Sequence, residues 1–137
     1  MPHDPALVAD TKAWLSKAAS DLQAAALDVA ANPPLLGDAA FHCQQAVEKT
    51  MKGLMAWHDE PFGKTHNLEE LGEACLQLDS TLRALVDRAA QLTEYAWKFR
   101  YPGEHEDPTR EEVDHALVVA REAFEAILAR LPEDVRP

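Results

Sequence analysis

In the stretch KFRYPGEHED, residues 98–107, Arg100 and His105 stand on either side of a proline and a glycine that end a helix. A guanidinium answers phosphate charge with a planar fork of donors. An imidazole with an ordinary pKa of ~6.5 serves as acid or base at neutral pH. Together they are the smallest set of side chains that cleaves RNA without a metal: the base activates the 2′-hydroxyl and the cation stabilises the charge gathering on the phosphate. Spacing alone does not select this pair, because Arg110 and His115 repeat it. That second copy lies inside a predicted helix, where five residues turn through about 500° and leave the side chains about 140° apart. The first copy straddles a helix end, where the chain can fold back and bring the two groups to one phosphate. Arg100 and His105 are therefore the candidate catalytic residues.

A second set of polar residues lies in FHCQQAVEKTMK, residues 41–52, where Gln45, Glu48 and Lys52 fall on one stripe of a helix beside its apolar seam. One reading is a solvated face with a Glu48–Lys52 pair four residues apart. The other is a strip lining a groove or interface, in which amides and lysines contact phosphate or base edges. On the second reading Gln45, Lys49, Lys52 and Tyr101 are candidate nucleotide- or RNA-binding residues. Among the other histidines, His42 is expected off the apolar seam and exposed, and His66 stands before a helix start that it can help orient. No His, Cys and carboxylate set has metal-ligand spacing, so the expectation is no metal site and no cofactor. No nucleophile elbow, Ser-His-Asp arrangement or glycine-rich phosphate loop is present.

The elements that must position these groups read as helices throughout, and an all-α fold is expected. A first helix is predicted from about Asp4 to Ala31, with Trp14, Ala18, Leu22, Ala25 and Val29 on one face and Pro33-Pro34 beyond its end. A second starts near Asp38 as N-cap and carries Ala40, Cys43, Val47, Leu54 and Trp57 as its seam. A short third begins near Asn67, whose side chain can cap it. The fourth, predicted from Ser80 to Phe99, repeats Leu82, Leu85, Ala89, Leu92, Ala96 and Phe99 in 3-4-3-4-3 steps. Thr109 and Glu112 form a capping box for the fifth, whose inner face is Val113, Leu117, Ala120, Phe124, Ile127 and Leu131 before Pro132. Four long helices and one short one predict an antiparallel up-and-down bundle forming one domain over residues 1–137.

The charge balance limits the partners. With 13 Lys+Arg against 24 Asp+Glu, a net charge of -11, a whole-surface attraction to nucleic acid is excluded, and any such site is a local basic groove on an acidic body. No apolar run reaches the ~18–20 residues of a membrane span, and no basic-then-apolar leader opens the chain. The two cysteines, Cys43 and Cys75, read as reduced apolar residues, so a cytoplasmic location is expected.

AFHCQQAVEKTMKGLMAW, then KTHNLEELG, then YAWKFRYPGEHED resemble the HEPN domain, and AWLSKAASDLQAA fits that family's first helix. The resemblance covers roughly Lys12 to Leu131, and its most specific part is Phe41 to Lys49 followed by Lys52. It implies an all-α bundle that is usually a homodimer, often working beside a minimal nucleotidyltransferase. Many members are metal-independent RNases of toxin–antitoxin and defence systems with an Arg-x(4–6)-His motif, which maps onto Arg100 and His105. In such dimers the two motifs meet across the interface. Other members keep the Arg-Tyr-Pro turn and are nucleotide-binding without RNase activity. The tyrosine that some toxin members carry two positions after the histidine is Asp107 here.

Overall fold

The computed structural model describes residues 3–103 and 106–137. Among them five α-helices follow one another: α1 (Pro5–Ala30), α2 (Leu36–Trp57), α3 (Leu68–Leu78), α4 (Arg83–Ala90) and α5 (Arg110–Leu128), with no β-strand among the described residues. The fold is all-α, as the apolar periodicity predicts. Central to it is α2, which packs against α1, α3 and α5 and against a 3₁₀ turn at Thr93–Ala96. Its seam residues Ala40, Cys43, Val47, Met51 and Leu54 are buried, as are Leu15 and Ala18 of α1 and Val113, Ala120 and Ile127 of α5. Each large aliphatic side chain among these contributes about 1.5–3 kcal/mol by leaving water.

Local chemistry sets the helix starts. The Asp4 side chain accepts from the Ala6 N–H at 3.0 Å, Asn67 from the N–H groups of Glu69 and Glu70, and Thr109 from that of Glu112 at 3.1 Å. Each satisfies amides that the first helical turn leaves without partners. One start differs from expectation. The second helix begins at Leu36 with no side-chain cap, and Asp38 stands inside its first turn. At its other end α2 closes with the Glu60 N–H on the Met55 carbonyl and the Asp59 N–H on that of Ala56, a Schellman motif with Asp59 at φ 53° in the usual glycine position. This turn sends Pro61–Phe62 back along α1, where the Phe62 ring meets Trp14 edge-on at 5.4 Å.

The fourth helix is shorter than predicted. Only Arg83–Ala90 is α-helical; a 3₁₀ turn precedes it at Ser80–Leu82, and Thr93–Ala96 winds as 3₁₀. Leu92, Tyr95 and Trp97 donate to carbonyls three residues back rather than four. Two causes are visible. Thr93, Tyr95, Trp97 and Phe99 are β-branched or aromatic and lose rotamer freedom in a helix. The Thr93 hydroxyl also accepts the Leu68 N–H at 3.1 Å, so the turn doubles as a cap for α3. A 3-4-3-4-3 apolar pattern is compatible with tightened turns as well as with a helix, because 3₁₀ geometry places i and i+3 side chains over one another.

Helices α3 and α4 approach closely at Gly72, where a Cβ would lie 2.4 Å from Val86 Cγ1. Valine is stiff at χ1 and cannot swing aside. Gly72→Ala is expected to lower stability by about 1–2 kcal/mol, an overpacking cost of ~1–3 kcal/mol reduced by the ~1 kcal/mol helix-propensity gain. Urea denaturation measures it. In a Val86→Ala background the same change becomes neutral or stabilising; an unchanged cost there would rule out this contact as the cause.

Candidate functional site

The polar stripe of α2 faces inward. Gln44 is 0% exposed, Gln45 9%, Glu48 3% and Lys52 5%, so this is neither a solvated face nor an open strip. Glu48 is its hub. One carboxylate oxygen lies 2.7 Å from His66 Nδ1 and accepts from the Gln44 amide at 3.2 Å, while the other accepts from Lys52 at 3.2 Å. Gln45 donates to the Gln44 side-chain oxygen at 2.7 Å, and Gln44 also donates to the His66 carbonyl at 3.0 Å. Buried charge is tolerated only when paired and bonded in this way.

The outer side of Lys52 opens on a cleft of ≈ 510 Å³ lined by Trp14, Lys52, Phe62, Gly63, Lys64 and His66. The ammonium stands 5.6 Å from the Trp14 ring centre and 5.7 Å from that of Phe62, within cation–π range. Sequence reasoning missed Trp14 and Phe62 as site residues. The FG pair after the α2 turn was the available signal, but nothing local places it beside α1.

Towards the other end of α2, His42 is half-buried rather than exposed. Its Nδ1 lies 2.8 Å from Asp21 of α1, whose second oxygen accepts from Lys49 at 2.6 Å. Asp21 itself is 7% exposed. His42 Nε2 is 3.4 Å from an Asp38 carboxylate oxygen. Asp28, near the C-terminus of α1, faces Asp38; burial first, then a proton shared with Asp38 and the repulsion between the two, push its carboxyl up to about 6 against the pull of His42. The thiols of Cys43 and Cys75 are pushed up to about 12 by burial and are inert at neutral pH.

Arg100 and Tyr101 are exposed on the segment that follows the 93–96 turn. The Arg100 guanidinium lies over the Phe41 ring, 4.1 Å from its centre, and 6.0 Å from the Tyr101 ring centre. A Cβ at Gly37 would stand 3.2 Å from Phe99 Cβ and 3.5 Å from an Asp107 carboxylate oxygen, so this segment rests directly on the first turn of α2. Arg83, Arg88, Arg110, Arg130 and Arg136 each pair with a carboxylate, whereas Arg100 has no such partner among the described residues. Stacking leaves the edge of its fork open to an incoming anion.

The predicted site residues thus fall into separate places. Arg100 and Tyr101 sit at the Phe41 end of α2. Lys52 is eleven residues along the same helix face, about 16 Å away, and Gln45 lies between them, bonded within the buried network. Lys49 is held by Asp21. His105 lies outside the described residues.

Comparisons with known proteins agree with this architecture. Curated proteins give no match. Among solved structures the chain is similar to TT1696 from Thermus thermophilus, with 26% sequence identity and a TM-score of 0.76 over 88% of this chain and 98% of that one. The model of the HEPN domain matches residues 11–131, a span that runs from the first buried residue of α1 to the end of the α5 seam and takes in the Glu48 network and the Arg100 segment. The chain therefore belongs to the HEPN domain family.

Proposed function

We propose that this HEPN protein is a metal-independent endoribonuclease of toxin–antitoxin or defence type, acting as a homodimer in which Arg100 holds the scissile phosphate and His105 moves the proton. The observation that carries this is Arg100 itself. In a chain of net charge -11 it is a guanidinium with no carboxylate partner among the described residues, placed over the Phe41 ring 4.1 Å from its centre. The 2′-hydroxyl gives its proton to the imidazole as its oxygen attacks the adjacent phosphorus. The 5′-oxygen leaves, taking a proton, and a 2′,3′-cyclic phosphate remains. Arg100 neutralises the charge gathering on the phosphate oxygens. The test is cleavage of a fluorescent RNA by purified protein with Mg²⁺ omitted: wild type is expected to give cyclic-phosphate ends and His105→Ala to lose at least about 100-fold. Equal cleavage by both, or none by wild type, removes the reading.

A second reading, a nucleotide-binding subunit working with a nucleotidyltransferase partner, is favoured by the Trp14–Phe62 cleft, which these two rings line together with Lys52 and Lys64. Calorimetry with ATP and GTP separates the two: a binding heat lost in Lys64→Ala supports the subunit, and no heat in wild type counts against it.

A further inference from the structure

Three acceptors converge where the C-terminal end of α1 meets the first turns of α2. One donor atom each from Asp28, Asp38 and His42 lies within 4.8 Å of the other two. Asp38 and His42 are four residues apart on one helix, which puts both side chains on the same face. Asp28 reaches the same point from the neighbouring helix.

The His42 ring is already oriented. Its Nδ1 is tied to the buried Asp21 carboxylate at 2.8 Å, and that carboxylate is held in turn by Lys49 at 2.6 Å. With Nδ1–H donated to Asp21, the neutral ring turns its Nε2 lone pair towards Asp38. An outer carboxylate that fixes a histidine in this way is the usual support of a metal-bound imidazole. Asp28 also has a demand unmet: its Oδ2 is shielded from solvent and no donor among the described residues reaches it. When both carboxyls are ionised, two carboxylates and one lone pair face one another with no donor from the described residues between them, and a divalent cation satisfies all three.

We propose that Asp28, Asp38 and His42 form a structural binding site for a divalent transition ion of the zinc type, with Asp21 as the positioning residue for His42. The 3.4 Å from His42 Nε2 to Asp38 Oδ2 fits the edge of a tetrahedron with bonds of ~2.0–2.1 Å, which is ~3.3 Å. Three protein donors leave one position for water. The ion would join the two helices across the 31–35 connection. It takes no part in RNA cleavage, so the site stands or falls independently of the function proposed above.

Titrating the metal-stripped full chain with Zn²⁺ in a calorimeter at pH 7 is expected to give one saturable site per chain and a rise in Tm. Asp28→Asn and His42→Ala each lose both effects. Asp21→Asn weakens binding about 10–100-fold without abolishing it, a graded effect that loss of a ligand does not produce. His115→Ala, on the exposed side of α5, keeps wild-type affinity. Asp28→Asn is isosteric and relieves repulsion, so it folds even if His42→Ala does not. No saturable heat in wild type, or equal affinity in Asp28→Asn, would overturn the assignment.

Discussion

Replacing Glu48 with leucine is expected to remove roughly 3–5 kcal/mol of folding stability, a large part of the ~5–15 kcal/mol that holds a domain of this kind. The change leaves Lys52, 5% exposed, without its counter-charge. It also strips an acceptor from Gln44 and His66, which approach the same carboxylate oxygen at 3.2 and 2.7 Å. The rings of Trp14 and Phe62 beside the ammonium offset only about 1–2 kcal/mol of that loss. The effect comes from the group left behind more than from the bond removed. The double variant Glu48→Leu/Lys52→Met therefore recovers much of the single loss, since an apolar pair of similar volume fills the space with no stranded charge. Urea denaturation of the two variants measures both terms. A double variant no more stable than Glu48→Leu would show that the lysine is not what the carboxylate protects.

On the ribonuclease reading, Arg100→Ala is expected to lower the single-turnover rate of RNA cleavage by about 10²–10³-fold, the scale for removing one donor to a charge-bearing transition-state oxygen. Stability should change by no more than ~1 kcal/mol, because the side chain is exposed and its contact with the Phe41 ring is worth only about 0.5–1 kcal/mol. Arg100→Lys is the sharper test. An ammonium retains the charge but neither lies flat on the ring nor presents two parallel donors, so most of the rate stays lost. Phe41→Leu removes the platform, 4.1 Å from the guanidinium, and leaves the arginine free to move; a smaller loss is expected, with Arg100→Lys adding little on top of it. A lysine variant that cleaves at the wild-type rate would reduce Arg100 to a general positive charge.

The polar stripe marks the limit of what periodicity can say. Counting degrees along α2 puts Gln45, Glu48 and Lys52 on one line, and the line is there. Whether it meets water or a neighbour depends on the 61–67 segment, which the Schellman turn at Asp59 directs back over it. His66 bonds to Glu48 from eighteen positions away, a separation at which helix geometry carries no information. The same holds for His42 and Asp21, twenty-one positions apart. Taken alone, His42 reads as a surface residue because its partner belongs to another helix.

The sequence by itself determined the all-α class, the caps at Asn67 and Thr109, the buried faces of α2 and α5, and the resemblance to the HEPN domain. All but the resemblance rest on interactions within four residues, where backbone geometry leaves few alternatives. Tertiary structure decided three other matters. The fourth helix stops at Ala90, with Thr93 turned to cap α3. The Glu48 stripe is a buried network. Asp28, Asp38 and His42 meet at one point. Each depends on where a second helix lies, and that is set by how apolar faces pack together rather than by any local preference of the polar residues they carry inward.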